Sequence, residues 1–77
     1  MNMPEVVIDV LKELSGKTVI QEADLLLDDI GLDSLGMITL LIELEDRLAI
    51  QLDESDMDPF ALTTAGDVIS MVEKYEA

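Results

Sequence analysis

Between residues 34 and 48 the apolar residues recur in two different helical phases, and a chain of 77 residues has room to bury only one of them. Met37, Leu40, Leu41, Leu44 and Leu48 form one stripe at helical spacing. Leu35, Ile38 and Ile42 form a second, at i, i+3 and i+7. At 100° per residue its mean direction lies roughly 130° from the first. The first stripe is the expected core face. The second is left exposed for something other than the core to cover.

The other segments supply partners for the core stripe. Pro4 opens a helix with Glu5 in its first turn, and Val7, Val10, Leu11 and Leu14 share one face. Ser15-Gly16 stops it, giving a helix over about 4–15. A long connection, about 16–33, follows; loops of this length in small domains are commonly functional. Ile20, Leu25, Leu26, Leu27, Ile30 and Leu32 are expected to pin it, with Glu22, Asp24, Asp28 and Asp29 facing water. Gly31 permits a tight backbone before the second helix, which Asp33 or Ser34 caps. After that helix, Leu48, Ile50 and Leu52 read as a short extended segment. Asp53 to Phe60 reads as a turn and a short third helix, with Asp58-Pro59 as a cap followed by proline at the first helical position. Thr63 or Thr64 caps a last helix to about Tyr75, burying Ala65, Val68, Ile69 and Val72. The expected fold is all-α, a single domain over 1–77: a small four-helix bundle of three main helices and a short one, with a long first loop.

Charge and missing residue types exclude most functions. The net charge of −14 argues against nucleic acid, which needs a basic footprint, and against anionic membrane surfaces. It favours partners with basic patches. With 49% hydrophobic residues the chain is too apolar for a disordered acidic tail. The absence of Cys excludes disulfides and thiolate metal sites. No segment approaches a membrane span, and the start Met1-Asn2-Met3-Pro4-Glu5 has no signal-peptide pattern, so a cytoplasmic monomer is expected. An EF-hand loop from Asp53 would need Gly and Glu where Asp58 and Thr64 stand, so no specific metal site is expected.

Catalysis finds no support either. A serine nucleophile needs a base, usually His, and the chain has none. Asp28 and Asp29 lack any sign of a pocket that would tune them for acid–base work. What remains is attachment. Ser34 stands where the acidic loop Leu27-Asp28-Asp29-Ile30-Gly31-Leu32-Asp33 meets the apolar helix, beside the ridge Leu35–Ile38–Ile42. A modifying enzyme could reach its hydroxyl and clients could grip the ridge, with Asp29, Asp33, Glu45 and Asp46 as an acidic rim. The plain alternative is that Ser34 serves only as the helix cap.

Residues 29–35, Asp-Ile-Gly-Leu-Asp-Ser-Leu, closely resemble the Asp-Leu-Gly-x-Asp-Ser-Leu signature of acyl carrier proteins. Leu40-Leu41-Ile42-Glu43-Leu44-Glu45, Leu48-x-Ile50-x-Leu52 and Thr63-Thr64-Ala65-Gly66-Asp67-Val68-Ile69 are similar to that family's later elements, so the resemblance spans nearly the whole chain. It implies a non-catalytic carrier. Ser34 would bear 4′-phosphopantetheine, taken from coenzyme A by a phosphopantetheinyl transferase. Acyl groups would travel as thioesters on its thiol, and Asp33 and Leu35 would belong to the recognition surface. Implied partners are acyl-loading, condensing or tailoring enzymes with basic docking patches.

The resemblance is uneven. Carriers of primary fatty acid synthesis usually show Asp and Glu where this chain has Gly36 and Thr39, and Pro where it has Asp53. Asp56-Met57-Asp58-Pro59-Phe60 looks more like stand-alone carriers of specialised metabolism. A polyketide-like or mixed specialised pathway is therefore expected first, fatty acid synthesis second, an amino-acid or aryl carrier third. An unmodified acidic helical adaptor, binding a basic groove through Leu35, Ile38 and Ile42, is the alternative outside this class.

Overall fold

Each helix starts and stops where a local signal dictates. In the computed structural model, which describes residues 2–58 and 61–75, α1 spans Met3–Ser15. The Asn2 side chain accepts from Glu5 N, and Gly16, at φ 77°, closes the other end with its N–H on Lys12 O. The second helix, α2, spans Ser34–Leu48 and ends at Ala49, a left-handed residue at φ 54°. The expected extended run through 48–52 is thus broken at its second residue. The third, α3, spans Ala65–Glu73 and begins with a reciprocal cap. Thr64 Oγ1 accepts from Asp67 N, while the Asp67 carboxylate accepts from Thr64 N at 3.1 Å and Thr63 N at 3.0 Å. These two backbone N–H groups hold the Asp67 carboxyl below its ordinary pKa.

The all-α expectation holds, with three main helices. The short fourth element, among the described residues, is a single 3₁₀ turn, Glu54–Asp56, within the stretch from Asp53 expected to hold a turn and a short helix. Pro59 and Phe60 lie outside the described residues. The turn is tied to the end of the chain: Asp53 N donates to the Tyr75 hydroxyl at 2.9 Å, that hydroxyl donates to Asp56, and Lys74 pairs with Asp56 at 2.9 Å.

α1 packs against both α2 and α3. The core is aliphatic: Val7, Val10 and Leu11 meet Met37, Leu40, Leu41 and Leu44 of α2 and Ala65, Val68, Ile69, Met71 and Val72 of α3. Leu14 and Leu48 are partly buried at its margin. At the surface, Arg47 joins α2 to α1 through Glu13, at 2.6 Å, and also pairs with Glu43 at 3.2 Å.

Backbone bonds, rather than helix, give the connection 16–33 its shape. Leu26 N donates to Thr63 O, Ala65 N to Asp24 O and Gly66 N to Glu22 O, so the free N–H groups at the start of α3 are satisfied by loop carbonyls. Ile20, Leu26, Ile30 and Leu32 are buried beneath this clasp. Leu27, expected among the pinning residues, is instead 51% exposed. Its neighbour Leu26 takes the inward position, and adjacent side chains in this turn cannot both point to the core.

Candidate functional site

The site is built at the junction of that loop with α2. Leu32 N donates to Leu26 O at 2.9 Å, fixing the chain two residues ahead of Ser34, and Gly31 turns it with φ 85°. Asp33 takes the cap. Its Oδ1 accepts from Gly36 N at 2.7 Å, and its carbonyl accepts from Met37 N. Ser34 is therefore the first residue of α2 and not its cap. Its side chain is exposed, and its hydroxyl has no hydrogen-bond partner among the described residues. The reading of Ser34 as a mere cap is overturned by Asp33, which stands in extended backbone just outside the helix (φ −95°, ψ −176°) and bonds Gly36 N.

Beside Ser34 runs the second stripe. Leu35, Ile38 and Ile42 are 71%, 41% and 53% exposed, while Met37, Leu40, Leu41 and Leu44 are buried. The phase difference read from the sequence is realised in the fold. Thr39, on the same exposed turns, folds its hydroxyl back onto Leu35 O at 3.0 Å. An open depression of about 330 Å³, lined by Leu14, Leu32, Asp33, Leu35, Gly36 and Thr39 among others, lies next to the serine.

The four rim acids are not equivalent. The Asp29 carboxylate accepts from Leu25 N at 2.8 Å, and Asp33 holds Gly36 N as above. Glu45 is partly buried and its Oε2 accepts from Leu52 N at 2.9 Å, where the chain doubles back after α2. Only Asp46 stays exposed without such a bond among the described residues. The sequence does not show that three of them brace backbone. The Glu45 bond, in particular, depends on a chain reversal that nothing at Glu45 itself announces.

The chain matches the family described as a phosphopantetheine attachment site over residues 5–72. It belongs to that carrier family. It is 37% identical to a D-alanyl carrier protein of Enterococcus faecalis, over 99% of this chain and all of the relative. It is 30% identical to an acyl carrier protein of Exiguobacterium sibiricum, over 95% and 96% of the two chains. A solved structure described as a candidate acyl carrier protein of Mycobacterium tuberculosis superposes with a TM-score of 0.85 at 29% identity, covering 96% of this chain and 99% of the other.

The carrier is accordingly non-catalytic, works with 4′-phosphopantetheine, and interacts with a phosphopantetheinyl transferase and with biosynthetic enzymes. The junction fits such a group. An exposed hydroxyl on the first residue of α2, with no hydrogen-bond partner among the described residues, offers an ester site. Once attached, the group supplies a thiol that the cysteine-free chain lacks. No helix among the described residues is long and apolar enough to cross a membrane.

Proposed function

We propose that Ser34 carries the phosphopantetheine arm and that the carrier presents acyl thioesters on it to client enzymes. The observation that carries this is the Ser34 hydroxyl: exposed, without a hydrogen-bond partner among the described residues, and seated on the first turn of α2 because Asp33 has taken the cap. The docking surface is the ridge Leu35, Ile38 and Ile42, bordered by Asp29 and Asp33 at the serine end and by Glu45 and Asp46 at the other. Ridge and border match client entrances that are apolar at the centre and basic at the edge. Linking cargo to the carrier gives the client active site a high effective concentration of substrate.

The test is intact mass after incubation with coenzyme A and a phosphopantetheinyl transferase. Wild-type protein gains one phosphopantetheine, and Ser34→Ala gains none while its helical circular dichroism is unchanged. Modification of Ser34→Ala would place the arm elsewhere.

For the cargo, we favour a discrete carrier of polyketide-like or mixed specialised biosynthesis. Gly36, Thr39 and Asp53 support this, since they depart from the pattern of primary fatty acid carriers. A second reading, a short aminoacyl cargo, is favoured by the likeness to a D-alanyl carrier over the whole of both chains. Carrier isolated from its own cells and analysed by mass spectrometry separates the two, because a ketide acyl group and an aminoacyl group add different masses to the arm.

A further inference from the structure

We infer that Asp29 and Asp33, besides bordering the docking ridge with their charge, are positioning residues, which present Ser34 by accepting backbone hydrogen bonds. This rests on Ser34 being the attachment residue.

Their geometry is that of braces. Asp29 clasps a single residue at two points: its carboxylate accepts from Leu25 N at 2.8 Å, and its own N–H donates to Leu25 O at 3.0 Å. Leu25 O also accepts from Ile30 N, which closes the turn. The next residue, Leu26, is buried, bonded to Thr63 O on one side and to Leu32 N on the other. Leu32 leads directly into Asp33, whose Oδ1 secures Gly36 N. A chain of bonds therefore runs from Asp29 through Leu25, Leu26 and Leu32 to the first turn of α2. Ser34 sits at its end.

Without the braces, this is the part of the molecule most prone to open. Loops and first helical turns exposed to solvent sit at the low end of local stability. An unbraced first turn leaves its N–H groups without acceptors. Losing a cap shifts such a local equilibrium by a factor of about five. A transferase that must align one hydroxyl responds to that shift, because small misplacements of a reacting atom cost rate. Partner attraction, by contrast, depends on net charge and fades with salt.

Asn and Ala variants separate the two roles, since Asn keeps the acceptor and removes the charge, while Ala removes both. Asp29→Asn, Asp29→Ala, Asp33→Asn and Asp33→Ala are each compared with wild type in two measurements. The first is backbone amide hydrogen exchange of the apo carrier, at Leu25 for the Asp29 variants and at Gly36 for the Asp33 variants. The second is transferase kinetics with coenzyme A at low and at high sodium chloride. Positioning requires faster exchange and at least about a threefold loss of kcat/KM in the Ala variants, at both salt levels, with the exchange restored by Asn and the rate restored by Asn at high salt, where charge is screened. The inference is overturned if Asn loses as much rate as Ala and the loss shrinks in high salt. It is also overturned if the Ala variants leave exchange unchanged. Wild-type carrier that gains its mass at a residue other than Ser34 defeats the attachment reading instead, and the exchange data still report whether the braces exist.

Discussion

The two faces of α2 are made of the same kinds of residue and have opposite fates. Met37, Leu40, Leu41 and Leu44 are shut away against α1 and the rest of the core, whereas Leu35, Ile38 and Ile42 lie open. Hydrophobicity does not distinguish them; helical phase does. A bundle this small offers one inner surface, so a helix with two apolar stripes must leave one outside. The first face stabilises the fold. The second stays largely at the surface, where the proposed role is to be covered by a client.

Single substitutions can break that comparison. The largest effect belongs to the buried face. Leu44→Ala removes a fully buried side chain and should destabilise by about 2–5 kcal/mol, read from urea denaturation. A cost below about 1 kcal/mol would mean that the face is not tightly packed.

The next effect lies where the loop closes over the core. Asp67 bonds Thr63 and Thr64, and Thr63 O in turn holds Leu26, so its ionisation supports burial of the loop. The folded-state pKa is lowered, hence the contribution is complete above the ordinary carboxylate value and is lost as pH falls through the lowered one. Wild-type stability should therefore drop on acidification from about pH 5 to 3, more steeply than that of Asp67→Asn. Identical pH profiles for the two proteins would remove Asp67 from the clasp.

The smallest change in stability belongs to the open face. Ile38→Ala should alter stability by no more than about 0.5 kcal/mol, yet raise KM with the transferase or a client. If it costs as much stability as Leu44→Ala, the division into two faces is wrong and Ile38 is core.

Much of this could be read from the sequence, and the reasons are local. Helix starts and stops are written in short-range signals such as Gly16, Asp33 and Thr64. The stripe phases follow from the 3.6-residue period, and α2 was legible to the residue. Three features escaped. Whether Asp33 or Ser34 caps α2 turns on which of the two adjacent residues leaves helical backbone, and both are good cap residues. Leu26 and Leu27 are chemically alike, and only the bond from Leu26 to Thr63, far along the chain, decides which of them turns inward. The 3₁₀ turn at Glu54–Asp56 has weak signals of its own and is fixed by Tyr75 and Lys74. Short-range order was legible; what depends on residues brought together from distant positions was not.

That same long-range clasp sets an order of assembly. The loop ahead of Ser34 takes its hydrogen bonds from residues 63–66, so it cannot reach its final shape until that segment has been synthesised and has docked. A nascent chain still lacking α3 displays the serine motif without the frame that orients it. Folding order thus runs against sequence order: a late segment of the chain completes the frame around a residue near its middle.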